Sequence, residues 1–327
     1  MQVALAGNYR TLLIELMIVR KEDTVLIIQD SEKNHIEDVL VEHGYKCFCY
    51  HRKKSKNELV NLLSYYKQNI LLEQFLKDLK KEGNDFSKVI GCDHICALFK
   101  HFVDCNDITV IEEGFSNYTK KEELYREYGI GTAKFKLFRW IMLQRKLINY
   151  EPYGYDSKVK EIWLTGIQTV PVELAKKVKL IDLQALWSNA DYEEINTIFQ
   201  FTPSIFQGRT ILLTQPLSED GVCSEDRKIE IYEKIIEECK TQVVIKPHPR
   251  ELTDYAVVFK NVLIDNNSYP FELLMLNKVA LQEVVTITST VAFECKEICN
   301  VHIYGTSRFT DLQEKLGVHQ EQIVKVG

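Results

Sequence analysis

The sequence predicts an α/β protein of two Rossmann-like domains that face a central cleft. Three observations predict it. Short apolar, β-branched runs alternate with segments of helical period, which implies mostly parallel sheets with helices on both faces. The alternation restarts near Phe201–Gly208, where Pro203, Gln207 and Gly208 punctuate the chain. The length, 327 residues, suits about two domains. The boundary is set near residue 205, giving domains 1–205 and 206–327.

In the first domain Val3–Ala6 and Val25–Gln29 are apolar enough for buried strands. Between them Gly7-Asn8-Tyr9-Arg10 turns the chain, and Thr11–Arg20 carries Leu12, Leu13, Leu16 and Ile18 at helical spacing. Ser31 and Asn34 are candidate caps for a helix through Val41, ended by His43-Gly44. Tyr45–Tyr50 returns as a strand. Arg52–Lys56 reads as a solvated basic loop, and Glu58–Lys81 as a long amphipathic helix. Lys88–Gly91, Ile108–Ile111, Glu161–Thr165 and Val178–Leu183 are further strands. From Tyr118 to Tyr150 the pattern is helical. Lys134, Lys136, Arg139, Arg145 and Lys146 interleave with Phe135, Leu137, Phe138, Trp140, Ile141, Met142 and Leu143. That mixture suits a core or subunit interface; its sharper reading is a surface for an anionic membrane or glycolipid.

In the second domain the predicted order is strand Thr210–Thr214, helix Asp226–Lys240, strand Val243–Ile245 and short strand Val262–Ile264. A helix from Pro270, a strand at Val284–Ile287, a helix from Thr290 and a strand at Val301–Tyr304 follow. The stretch Asp311–Gly327 is a candidate to pack back on the first domain.

Composition narrows the function. A net charge of −6 argues against general nucleic-acid binding. No charged, apolar leader and no apolar run of membrane-spanning length is evident, so a cytoplasmic protein is expected. The nine cysteines include no C-x-x-C; Cys92 and Cys96, with His94 between them, make only a thin case for zinc. Buried free thiols in a reducing compartment are the expected state, with no metal.

The chemistry-bearing groups lie at strand ends. Val243-Val244-Ile245 runs into Lys246-Pro247-His248-Pro249-Arg250, where two prolines stiffen the backbone on either side of His248. The carboxyl edge of an open α/β sheet is where ligands bind. Glu112-Glu113-Gly114 ends another strand; adjacent side chains point oppositely, so only one carboxylate can face a cleft and act as general base. Ser289 and Thr290 close a third strand, as caps, anion ligands or both. Glu272 follows Pro270 at a predicted helix start and can hold a ribose. Gly7 and Asn8 can line the opposite wall, without a dinucleotide fingerprint. Gln215 ends the first strand of the second domain.

In the order acid-acid-Gly, His-Pro, Pro-x-Glu, Ser-Thr, the chain resembles the bacterial sialyltransferases of glycosyltransferase family 52. It is more distantly similar to other bacterial sialyl- and polysialyltransferases, which share D/E-D/E-G, H-P and S-S/T motifs. The resemblance implies a GT-B type fold, an N-terminal acceptor-side domain and a C-terminal nucleotide-donor domain. It implies CMP-sialic acid as donor, inversion at the anomeric carbon and no metal or further cofactor. Carried onto this chain, Glu113, or else Glu112, deprotonates the acceptor hydroxyl. His248 serves the departing phosphate as general acid or cationic donor, and Ser289 and Thr290 hold that phosphate. Glu272 holds the ribose and Pro249 packs on the cytosine, while Lys246 and Gln215 flank the nucleotide. Glu-Glu stands where Asp is common, and the longer arm shifts the base. The expected acceptor is a galactose-terminated glycan of capsule or lipooligosaccharide, linked α-2,3. The expected enzyme is a homodimer in the bacterial cytoplasm, peripheral to the inner membrane. The competing expectations are a GT-B transferase or epimerase for another nucleotide sugar, or a catalytically silent scaffold subunit.

Overall fold

Val3, Ala4, Leu5 and Ala6 are buried on both faces of their strand, as are Val25 to Ile28 in the next. Continuous apolar runs of this kind belong in the middle of a parallel sheet covered by helices on either side. The computed structural model describes residues 1–30, 36–51, 58–141, 145–289, 292, 295, 296 and 298–325. The caps Ser31 and Asn34, the basic loop Arg52–Lys56, Met142, Leu143 and Thr290 lie outside them. The chain divides into two units, Met1–Ile198 and Phe199–Gly327, so the division falls ahead of residue 205.

The first unit runs β1 (Gln2–Ala6), α1 (Tyr9–Ile18), β2 (Thr24–Asp30), α2 (Ile36–Glu42), β3 (Lys46–His51), α3 (Glu58–Lys81), β4 (Lys88–Gly91), α4 (Cys96–Phe99), β5 (Ile108–Ile111), α5 (Lys121–Tyr128), α6 (Ala133–Ile141), β6 (Val159–Leu164), β7 (Val178–Leu180), α7 (Leu183–Asn189) and α8 (Tyr192–Ile198). Its sheet has the order β3-β2-β1-β4-β5-β6-β7, every pair parallel. The predicted strand Val178–Leu183 stops at Leu180. Asp182 accepts hydrogen bonds from the N–H groups of Gln184 (2.8 Å) and Ala185 (3.2 Å), a side-chain cap that starts α7 at Leu183.

The second unit runs β8 (Thr210–Leu213), α9 (Glu225–Glu238), β9 (Val243–Lys246), α10 (Tyr255–Val258), β10 (Leu263–Ile264), α11 (Glu272–Leu276), β11 (Glu283–Thr286), β12 (Asn300–Ile303), α12 (Gln313–Leu316) and β13 (Gln322–Val324). Its order is β10-β9-β8-β11-β12-β13, parallel except for the antiparallel β12–β13 pair. The C-terminal stretch therefore belongs to the second unit, not the first. β13 supplies its edge strand, and the Arg227 guanidinium grips Asp311 at 2.7 and 3.0 Å. Each unit has its own apolar core.

Both sheets reverse direction beside their first strand. After β3 the chain crosses to the far side of β1 to make β4; after β10 it crosses to the far side of β8 to make β11. Such a reversal opens a crevice at the carboxyl ends of the two diverging strands, the preferred ligand position in open α/β sheets. In the first unit that crevice is bounded by Gly7-Asn8 after β1 and Cys92–His94 after β4. In the second it is bounded by Thr214-Gln215 after β8 and Ile287–Ser289 after β11.

Candidate active site

β5 delivers Glu112 and Glu113 to opposite sides, and their surroundings differ sharply. Glu112 is fully buried. Its carboxylate accepts from Arg10 Nη2 (2.6 Å), Tyr118 OH (2.5 Å), Thr165 N (2.6 Å) and Thr165 Oγ1 (2.7 and 2.9 Å). Burial and the adjacent Glu112 charge push the Tyr118 hydroxyl up to about 12. With that many donors Glu112 has no lone pair left for an incoming hydroxyl. It ties α1, the 115–118 turn and the end of β6 to β5, and of the two acids Glu113 is the one that lines a cavity.

Glu113 faces a cavity of about 650 Å³. Asn8, His94, Gly114, Ser116, Tyr128, Phe135 and Tyr153 are among the residues that share its wall. Its backbone is fixed on both sides: Asn8 Nδ2 donates to its carbonyl (3.0 Å), and its N–H donates to Asn117 Oδ1 (2.8 Å). Asn8 does this while capping α1, its Oδ1 accepting from Thr11 N at 2.9 Å. Gly114 follows with φ 156°, a backbone state that side chains disfavour. Gly7 has a different use. A Cβ there would stand 2.4 Å from Glu113 Oε1, 2.6 Å from Ile95 Cδ1 and 2.8 Å from Cys92 Sγ, so only glycine admits the carboxylate. Gly7 and Asn8, expected to line a wall of the site, are both in contact range of Glu113.

His94 lies on the same cavity wall. Its Nε2 lies 3.0 Å from Glu113 Oε2, and its ring stacks on Tyr153 with centroids 4.7 Å apart. Tyr153 stacks in turn on Tyr128 at 6.0 Å. Burial pushes the imidazole down, but the hydrogen bond and charge of Glu113, with Asp93, reverse this and leave its pKa raised. Asp93 is buried and accepts from Tyr153 N (2.7 Å), Gly154 N (2.8 Å) and Tyr150 OH (3.1 Å), which fixes the segment that carries the stacking ring. Cys92 is buried and donates to Leu5 O at 2.9 Å. Among the described residues no group of three His, Cys, Asp or Glu side chains is spaced to hold a metal.

In the second unit β9 ends at Lys246, and a buried acid holds the turn that follows. Glu251 accepts from His248 N (2.7 Å), Tyr255 OH (2.6 Å) and Thr214 Oγ1. Glu219 accepts from Leu252 N (2.7 Å), and the fully buried Lys228 ammonium sits 3.0 Å from Glu219, 3.1 Å from Glu225 and 3.9 Å from Glu251. Burial works against the Glu219 charge, yet its hydrogen bonds to Leu252 and Lys228 bring it down to about 2. His248 is half-buried, and its Nδ1 accepts from Arg250 N at 3.1 Å. That contact leaves the ring proton of the neutral form on Nε2. Burial, then the Arg250 charge, lowers its pKa.

The remaining predicted residues divide. Pro249 is exposed beside His248. Ser289 is half-buried, its N–H on Thr286 Oγ1 at 3.3 Å. Gln215 bridges the reversal point, its Oε1 accepting from Thr288 N and Oγ1, both at 3.0 Å. Glu272 is buried as the first residue of α11, which begins there and not at Pro270. Lys246 does not reach outward. Its ammonium lies 3.1 Å from Asp265 Oδ2, donates to Asn267 O and sits 4.0 Å over the Tyr269 ring, so it braces the 265–269 segment. Burial lowers its pKa although Asp265 opposes this. On α6, Leu137 and Trp140 are exposed, at 56% and 48%, beside exposed Lys134 and Lys136, whereas Arg139 is buried.

The family description "Glycosyltransferase family 52" matches residues 23–307. The chain belongs to this family. An uncharacterized protein of Haemophilus influenzae is 30% identical to it over 328 residues, covering 96% of this chain and 97% of that protein. The fold is similar to the crystal structure of the α/β-galactoside α-2,3-sialyltransferase of Photobacterium phosphoreum (TM-score 0.51, 12% identity, 87% of this chain and 85% of that one). It is also similar to the GT-B domain of a Photobacterium damselae sialyltransferase (TM-score 0.50, 11% identity, 89% and 87%). The two sheets are accordingly those of a GT-B type glycosyltransferase.

For this family 52 chain, sequence reasoning found the strand ends and missed their supports. His94 was read only as a neighbour of two cysteines. Its signal was position, since it follows β4, which pairs with β1 at the reversal of the sheet. Glu251, directly after His-Pro-Arg, carried no motif at all. Arg10, Tyr118 and Thr165 reach Glu112 from segments 102, 6 and 53 residues away, so no local pattern announces them. No described helix is long and apolar enough to cross a membrane.

Proposed function

We propose that this glycosyltransferase moves sialic acid from CMP-sialic acid to a hydroxyl of a galactose-terminated surface glycan, with inversion and without a metal. The observation that carries the reading is the carboxylate of Glu113. Among the described residues it is the one acid on the wall of an aromatic-lined cavity at a sheet reversal, and its backbone is pinned on both sides. Glu113 takes the acceptor proton as the hydroxyl oxygen bonds to the anomeric carbon. The bond from that carbon to the CMP phosphate breaks, and its electron pair leaves with the phosphate oxygen. His248 meets this oxygen with Nε2–H, a proton present even on the neutral ring, while Ser289 and Thr290 contact the phosphate. Glu272 and Pro249 serve ribose and base. Tyr128, Tyr153 and Phe135 suit stacking against sugar rings.

The same reading puts the reaction on the inner side of the bacterial membrane, where exposed Leu137 and Trp140 with Lys134 and Lys136 suit an anionic surface. The test is to incubate the protein with CMP-sialic acid and a panel of lactosides. Release of CMP together with a sialylated, α-2,3-linked lactoside is the expected result. Absence of both CMP binding and CMP release overturns the reading.

A further inference from the structure

Arg139 is a buried cation that its surroundings leave uncompensated. It is 2% exposed, lines the Glu113 cavity, and lies over the Phe135 ring at 4.4 Å. Its Nη1 donates to the carbonyls of Leu147 and Tyr150, while its Nε is buried with no acceptor. Among the described residues no carboxylate pairs with it. Residues 142–144, which follow its helix, are Met, Leu and Gln, so they add no acid. Nearby acids are engaged elsewhere: Glu151 with Lys121 at 2.6 Å, and Asp93 with Tyr150, Tyr153 and Gly154.

Two backbone carbonyls satisfy donors but do not neutralise a charge, and a buried charge without a counter-ion is costly. If Arg139 served only to staple the 147–150 turn, a neutral donor would do so at less cost. Among the described residues the wall of the cavity has one acid, Glu113, and two bases, His94 and Arg139. Glu113 is already matched by His94 at 3.0 Å. One positive charge is left over, carried by a planar guanidinium whose geometry fits a carboxylate. Phe135, Tyr128 and Tyr153 on the same wall suit a sugar ring, and Asn8 and Ser116 suit its hydroxyls.

We propose that this cavity is a sugar-acid site in which Arg139 binds the ligand's carboxylate. The proposal rests on the transferase reading for the ligand's identity. The carboxylate belongs either to the sialyl group of the donor or to an acceptor that ends in an acidic sugar.

Calorimetry on the whole protein separates the sources and needs no turnover. Two ligand pairs differ in the presence of the sugar acid: CMP-sialic acid against CMP, and 3′-sialyllactose against lactose. Esterified forms, the 3′-sialyllactose methyl ester and the methyl ester of free sialic acid, remove the charge and keep the ring. The wild type should prefer the acid over its neutral counterpart in at least one pair by roughly 10- to 100-fold, the strength of a hydrogen-bonded charge pair. R139M should abolish that preference and leave CMP and lactose binding unchanged. R139K, which keeps the charge without the fork, should retain part of it and serves if R139M does not fold. Preference in the CMP pair assigns the donor; preference in the lactose pair assigns the acceptor. A wild type indifferent to the charge in both pairs, or a preference that survives in folded R139M or R139K undiminished, overturns the proposal. If CMP and CMP-sialic acid do not bind, the donor reading fails, while the lactose and ester arms still decide on Arg139.

Discussion

Two neighbouring glutamates should fail in opposite ways. Replacing Glu112 by Gln removes the charge that Arg10, Tyr118 and Thr165 share, and turns an amide N–H₂ toward groups that are themselves donors. Breaking a buried ion pair on one side costs about 3–5 kcal/mol, out of a typical total of about 5–15. Glu113 retains about 20% exposure and one ionic partner, so Glu113→Gln should cost about 1 kcal/mol or less. Its effect falls on rate: loss of a general base lowers turnover about 10²- to 10⁴-fold. All three tryptophans, Trp140, Trp163 and Trp187, lie in the first unit, so tryptophan fluorescence in urea follows that unit alone. E112Q should lower the urea midpoint by roughly 1–3 M. E113Q should leave it nearly unchanged while CMP release with a lactoside acceptor collapses. An E112Q protein as stable as wild type, or an E113Q protein that turns over normally, would refute the division of labour between them.

Gly7→Ala should act like a milder Glu113 mutation, since its methyl displaces the Glu113 carboxylate. A loss of about 1–3 kcal/mol from overpacking and at least a roughly tenfold drop in kcat/KM are expected, and full activity would show that the carboxylate does not need its present seat. The His94–Glu113 pair has a pH signature. The folded His94 pKa is raised, so its stabilisation is complete below the unfolded value of about 6.5 and fades as pH rises through the folded value. The gap in urea midpoint between wild type and H94Q should therefore narrow on going from acid to alkaline pH; a gap that widens contradicts the pairing. For His248 the Arg250 charge adds to burial in lowering the pKa, so Arg250→Gln should raise the midpoint of its ring resonance in an NMR titration. An unmoved midpoint would leave burial as the whole cause.

How far the sequence could be read depends on the range of the interactions. The apolar runs at Val3–Ala6, Val25–Gln29 and Ile108–Ile111 identified their strands, because a strand buried on both faces needs nothing from its neighbours to look apolar. Lys88–Gly91 and the long helix Glu58–Lys81 fell where expected for the same local reason. The end of β7 was missed because one cap, Asp182, outweighed the apolar Ile181 and Leu183. The site was legible as a set of strand ends and not as a set of contacts. Which glutamate faces the cavity depends on Arg10 and Thr165, distant in the chain, and the place of Lys246 depends on Asp265, contributed after β10. Arg139 looked like one more cation in a basic-aromatic helix, and only the folding of the 147–150 turn around it sets it apart.

The strand orders carry a consequence for how the protein is made. In both sheets the strand synthesised first is the one from which the rest spreads: β2 and β3 add outward from β1, then β4 to β7 add outward on its other side, and β9–β10 and β11–β13 do the same around β8. None of the described strands has to be inserted between two that are already paired. A nascent chain leaving the ribosome can thus extend each sheet by edge addition alone, in the order of translation, and the first unit can close before the second has left the exit tunnel. A circular permutant that began at β2 would lose this order, because β1 would then arrive last and have to wedge between β2 and β4.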